Sequence, residues 1–131
     1  MILPRASTKA KAKWRPHKQN GQMNATERRF EQQVLMPRLL CGEIVSYQYE
    51  AVRLRIGVDW KTTYTPDFFV LLATGEMELI DVKGSAGWED HTRVKIKACA
   101  EKYPMFHWLG YSEGKGKAGK GRFTPEVFNA G

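Results

Sequence analysis

The clearest alternation of apolar and polar positions runs from Tyr64 to Gly84, YTPDFFVLLATGEMELIDVKG. Residues 64–72 are rich in aromatic and β-branched side chains and residues 77–83 alternate apolar with polar, which predicts two strands. Between them, Ala73-Thr74-Gly75 has the form of a three-residue hairpin loop whose last position takes φ > 0. If Leu72 faces Glu76, that loop sets Asp67 opposite Asp81 and Thr65 opposite Lys83. Side chains alternate along a strand, so Asp67, Asp81 and Lys83 then share one face. A two-residue loop would put Asp67 opposite Val82, on the other face.

Upstream, Asn24 followed three residues later by Glu27 predicts a helix start close to a capping box. Phe30, Val34 and Leu35 continue its apolar stripe towards Leu39 and Leu40, and Pro37 is expected to kink the helix or end it near Met36. A strand is expected over residues 45–56, with Gln48, Glu50, Val52, Leu54 and Ile56 on one face and Tyr47, Tyr49, Arg53 and Arg55 on the other. Residues 57–62 make a turn. Downstream of the hairpin, residues 85–87 are a connector, and Glu89 and Asp90 suit a first helical turn. The helix then runs to about Lys102, with Ile96, Cys99, Ala100 and Tyr103 as its buried stripe. Pro104 stops it, and residues 105–111 read as a last strand. The order is αβββαβ, an α/β chain.

Composition bounds what this order can be. At 131 residues with 42% hydrophobic residues, the chain has room for one domain with a modest core. No apolar run is long enough to span a membrane. Residues 1–23 have no apolar segment of the secretory kind. Cys41 and Cys99 make no metal-like spacing with His17, His91 or His107 and read as buried small hydrophobes in a reducing, cytoplasmic compartment.

The net charge of +7 is unevenly placed. Residues 1–23 carry six Lys or Arg and no acid, residues 24–112 carry eleven bases and twelve acids, and residues 113–131 carry four bases and two acids. The chain therefore divides into a flexible basic N-terminal arm (1–23), a core (24–112) and a Gly/Lys-rich C-terminal tail (113–131), in which Phe123, Pro125, Val127 and Phe128 offer a docking patch. Basic flanks around a near-neutral centre suit a polyanionic partner, because neutralising phosphates gives affinity that does not depend on base sequence. In the arm, Lys9, Lys11, Lys13 and Arg15 are candidate phosphate contacts. Trp14 either stacks on a base or docks on the core, and the sequence leaves both open.

The paired carboxylates carry the candidate chemistry. Directly opposed Cβ atoms lie about 4.5–5.5 Å apart, and like charges there repel. Asp67 and Asp81 also sit among Phe68, Phe69, Ile80 and Val82, where an uncompensated charge is costly. Two carboxylates with a backbone oxygen and water suit a hard divalent cation such as Mg²⁺. Each residue taken singly has an ordinary explanation: Asp67 follows a proline in a bend, Asp81 lies near a strand end, and Lys83 extends to solvent.

At Pro66-Asp67 and Asp81-Val82-Lys83 the chain resembles the PD-(D/E)XK nuclease superfamily. The resemblance extends over roughly residues 24 to 111, through NATE at Asn24, YTPDF, DVKG, WEDHTRVKIK and YPMFHWLGY, to small phage-encoded endonucleases and Holliday-junction-resolvase-like proteins. It implies a restriction-endonuclease-like αβββαβ core, a mixed sheet flanked by helices. It also implies Asp67 and Asp81 as Mg²⁺ ligands with the Val82 carbonyl, Mn²⁺ being able to substitute. Lys83 would orient the attacking water or stabilise the transition state. An acidic residue of the first helix completes such sites. Glu27 is the matching position, with a cap role competing, and Glu31 is the fallback. Glu50 either faces the site or lies at an exposed strand end. Arg93, Lys95 and Lys97 would contact the DNA backbone, or else form a solvated helix face.

The expected activity is metal-dependent endonuclease cleavage of DNA, structure-dependent or nonspecific, in phage DNA metabolism within the host cytoplasm. A dimeric Holliday-junction resolvase is one alternative. A non-catalytic basic DNA-binding or assembly protein is another, and an RNA-processing nuclease is a third.

Overall fold

A computed structural model describes residues 22–58 and 62–129, so most of the expected N-terminal arm, with Lys9, Lys11, Lys13 and Arg15, lies outside the described residues. The first helix, α1 (Ala25–Phe30), starts as its sequence requires. Asn24 Oδ1 accepts the Glu27 N–H at 2.8 Å, and Glu27 Oε1 accepts the Asn24 N–H at 2.9 Å. Of the two outcomes expected at Pro37, the helix does not end at Met36 but changes its winding just before it. The chain widens into a π-helical turn over Glu31–Leu35 and continues as α2 (Met36–Leu40) with Pro37 in its first turn. Proline cannot donate to the preceding turn, and a π-turn is a way for a helix to absorb such a break. Gly42, at φ 85°, ends α2: its N–H meets the Leu39 carbonyl and the next N–H, of Glu43, meets that of Arg38.

The main sheet has five strands in the order β1-β4-β5-β6-β7. β1 (Ile44–Tyr49) runs antiparallel to β4 (Phe68–Leu72), which runs antiparallel to β5 (Met77–Lys83). β5 is parallel to β6 (His107–Glu113), reached through helix α3 (Asp90–Lys102), and β6 is antiparallel to β7 (Phe123–Val127). The fold is thus mixed α/β, with a mostly antiparallel sheet.

Two strands expected to be continuous are broken. The first leaves the sheet after Tyr49, where Glu50 turns at φ 49°, and resumes as β2 (Leu54–Arg55). The second enters as β3 (Thr63–Tyr64) and rejoins the main sheet only at Phe68. β2 and β3 pair as a separate two-stranded ribbon. The Glu50 N–H donates to the Asp67 carbonyl at 2.8 Å and so pins the two breaks together.

Both faces of the sheet are covered, and β5 shows the consequence in consecutive buried positions from Leu79 to Val82, pointing to both sides. Ile80 and Val82 pack with Phe30, Leu35, Ile44, Phe68 and Val70 on the α1–α2 side. Leu79 packs with Tyr64, Ile96, Cys99, Ala100 and Trp108 on the α3 side. Cys99 is buried as expected, whereas Cys41 is exposed at the end of α2.

The segment expected to be a Gly/Lys-rich tail belongs to the fold. It supplies a short helical turn, α4 (Gly116–Gly119), and the edge strand β7. Phe123 packs edge-on against Phe30, with centroids 5.3 Å apart, and Phe128 packs against Trp88 at 5.7 Å. Among the described residues, no helix is long and apolar enough to cross a membrane.

Candidate metal centre

The hairpin register is the expected one. The Leu72 N–H meets the Glu76 carbonyl at 2.8 Å, Gly75 closes the loop at φ 94°, and Phe68 pairs with Ile80. One step further, Asp67 stands opposite Asp81. Pro66, fully buried, would come next, opposite Val82, and has no N–H to give to the ladder. The Val82 N–H is accepted by Asp67 Oδ2 at 2.7 Å. A strand residue's N–H and C=O project to the same side, so the Val82 carbonyl is also turned towards the Asp67 segment.

Asp81 is 5% exposed, close to the floor of the α3-side core. Its Oδ1 accepts the buried hydroxyl of Tyr64 at 2.7 Å. Its Oδ2 is buried without a hydrogen-bond partner. Lys83 Nζ lies 3.2 Å from Oδ2, close enough for an ion pair but out of line for a hydrogen bond. The Lys83 ammonium is also 5.6 Å from the centre of the Trp88 ring, a cation–π contact. The indole has room because Gly110, the β6 neighbour of Asp81, has no side chain: a Cβ there would fall 2.3 Å from the ring.

Burial pushes the Asp67 carboxyl well above its ordinary pKa, and the charges of Asp81 and Glu27 add to the effect, while the hydrogen bond from Val82 opposes it. Burial and the adjacent Asp81 carboxylate likewise hold the Tyr64 hydroxyl far above the usual phenol range, so it stays a donor. Glu27, 4% exposed, is steered by its cap and by Tyr49, whose hydroxyl donates to Glu27 Oε1 at 2.8 Å. Cap and site membership are therefore compatible at Glu27: one carboxylate closes the helix start and lies against Asp67.

The structure thus brings together Asp67, Asp81, Val82, Lys83 and Glu27. The other candidates have different side-chain or backbone partners. Glu31, in the π-turn, accepts the Tyr47 hydroxyl at 2.8 Å. Glu50 gives its backbone N–H to Asp67 from the bend. Arg93 is ion-paired with Glu126 and lies over the Trp88 ring at 5.7 Å. Lys97, one turn on, lines a groove with Phe128 and Asn129 and so lies beside the same end segment as Arg93, while Lys95 lines a different groove with Ile56 and Thr62.

Sequence reasoning missed Tyr64, Tyr49 and Trp88. Tyr64 sits three positions before Asp67, but the chain changes sheets between them, so strand alternation carries no signal of the contact.

Among the described residues, no three His, Cys, Asp or Glu side chains form a metal cage on their own. The donor set still fits a hard cation that takes part of its shell from a backbone carbonyl and water: two carboxylates on opposed strand positions, one oxygen that makes no hydrogen bond among the described residues, and a raised carboxyl pKa that a cation would relieve. No family profile, curated protein or solved structure matches the chain.

Proposed function

We propose that this protein is a metal-dependent endodeoxyribonuclease with a PD-(D/E)XK, restriction-endonuclease-like core. The observation that carries the reading is the buried Asp81 Oδ2, which makes no hydrogen bond among the described residues, lies 3.2 Å from Lys83 Nζ and belongs to the strand position across from Asp67. A ligated cation would give that oxygen the in-line partner that Lys83 does not.

In this reading Asp67 and Asp81 hold Mg²⁺ or Mn²⁺, with the Val82 carbonyl and Glu27 as further oxygen donors. The ion, when bound, lowers the pKa of water and offsets charge on the phosphoryl oxygens. Tyr64 fixes Asp81 through Oδ1 and leaves Oδ2 for the cation. Lys83, held between Asp81 and the Trp88 ring, is placed to orient a water or to meet negative charge developing on the phosphate. The substrate class in this reading is DNA recognised by backbone and shape.

The test is incubation of supercoiled plasmid and four-way DNA with Mg²⁺ or Mn²⁺, beside EDTA and Asp81→Asn controls. Metal-dependent cutting lost in Asp81→Asn is expected. Binding with no cutting in either metal would leave a DNA-binding or assembly protein as the reading, and cutting that survives Asp81→Asn would not come from this site.

A further inference from the structure

We propose that the β6–β7 turn, residues 114–122, is a preformed clamp for the phosphate backbone of nucleic acid. Its sequence, GKGKAGKGR, alternates cations with small residues. Residues 114–125 hold four Lys or Arg and no acid. Lys115, Lys117, Lys120 and Arg122 are all exposed, and among the described residues none is ion-paired. Arg29, Arg38 and Arg93, by contrast, are each matched to a carboxylate.

The turn is built, not loose. Gly114 and Gly119 cross so closely that a Cβ on Gly119 would lie 2.3 Å from the Gly114 carbonyl carbon. Gly116 and Gly121 take φ of 69° and 82°, which suit glycine. Backbone hydrogen bonds run from Gly114 to Arg122 at 2.9 Å, from Arg122 to Gly119 at 3.0 Å and from Gly119 to Lys115 at 3.1 Å. The base of the turn is fastened by buried Glu113, which accepts two hydrogen bonds from Arg29 and one from the Gly121 N–H. Glycine thus removes every side chain that would fill the turn, and the cations are displayed on a fixed frame. Fixing them in advance reduces the ordering cost of gripping a polyanion.

Its position selects the partner. Ser112 pairs with Lys83 across the parallel β5–β6 ladder, so the turn begins two residues beyond the neighbour of Lys83, at the same end of the sheet as the acidic centre. At about 4.8 Å between strands and 3.3 Å per residue, Gly114 lies on the order of 10 Å from Lys83. Phosphates follow one another every 3.4 Å or so of helix axis on each strand, so a backbone held in the turn presents a neighbouring phosphate to the centre. The choice of DNA as the polyanion rests on the nuclease reading above.

The test measures binding apart from cutting. Affinity for a fluorescein-labelled DNA duplex is followed in EDTA against NaCl concentration, for the wild type and for the variant with Lys115, Lys117, Lys120 and Arg122 all changed to Gln. Each phosphate contact contributes about 0.9 to the slope of log affinity against log salt, so a slope shallower by about 2 or more is expected. A second variant, Gly119→Ala, leaves the net charge unchanged but forces the turn open. Weaker binding by this variant, with melting showing a folded core, supports the clamp over a general charge effect.

An unchanged slope in the four-fold variant, with the wild type still binding and cutting, would overturn the clamp alone. A shallower slope in a protein that never cuts would end the nuclease reading and keep the clamp. A wild type that binds no DNA would end both.

Discussion

Asp67 accepts the backbone N–H of Val82 at 2.7 Å through its side chain, while Pro66 beside it has no N–H to offer the Val82 carbonyl. This one bond ties the two halves of the candidate centre together. It orients the Asp67 carboxylate against β5 one residue from Asp81, and it leaves burial and like charge as the forces acting on the pair. A cation between them resolves both.

The raised Asp67 pKa gives a signed pH dependence. Unfolded, the group titrates near its model-compound value of 3.8; folded, it titrates well above that. The folded state therefore binds the proton more tightly, and the stabilisation is complete below the unfolded pKa and lost as pH rises through the folded one. The metal-free protein is expected to lose melting temperature over that rise, and Asp67→Asn is expected to flatten the loss. Added Mg²⁺ should stabilise the wild type more at high pH than at low. Identical melting profiles against pH for wild type and Asp67→Asn would contradict the assignment.

Tyr64→Phe removes the hydrogen bond that the phenol gives to Asp81 Oδ1 and, among the described residues, leaves a second buried oxygen of that carboxylate without a donor. A loss of about 1–3 kcal/mol in urea unfolding is expected, together with weaker Mn²⁺ binding. Unchanged stability and unchanged metal affinity would show that the phenol does not hold the carboxylate.

Phe30 joins α1 to Phe68, Tyr111 and Phe123, with ring centroids 4.8 to 5.5 Å away, and is fully buried. Phe30→Ala is expected to cost about 3–5 kcal/mol in chemical denaturation. A cost below about 1 kcal/mol would mean that β7 is not seated on the core as described.

What the sequence revealed was mostly local. The capping box at Asn24 and Glu27, the Gly75 loop and the apolar stripe of α3 each depend on residues a few positions apart, and each holds. The Asp67–Asp81 opposition follows from the loop alone. Long-range relationships were not legible in the same way. Glu50 turns at a positive φ that its side chain does not announce, and the break it makes is closed by a bond to Asp67, seventeen residues on. β7 looked like linker because its glycine- and lysine-rich approach hides that Phe123 reaches Phe30, ninety-three residues earlier in the chain. Tyr64 was missed because its contact with Asp81 crosses from the small ribbon to the main sheet.

Loss of catalysis should separate from loss of binding at Lys83. Its ammonium touches the Asp81 carboxylate and the Trp88 ring, whereas the clamp cations lie on the β6–β7 turn. Lys83→Ala is expected to lower the cutting rate by about 10²–10⁴-fold, the range of a lost general acid–base group, with duplex affinity nearly unchanged. If affinity and rate fall in proportion, Lys83 positions DNA and takes no part in the chemistry.

The account stands or falls on whether the opposed aspartates hold a divalent ion. Calorimetric titration of Mn²⁺ into the purified chain, beside Asp67→Asn and Asp81→Asn, measures this without any nucleic acid. Saturable binding by the wild type that disappears in both variants is the expected result. Equal binding by all three, or none by the wild type, would contradict it.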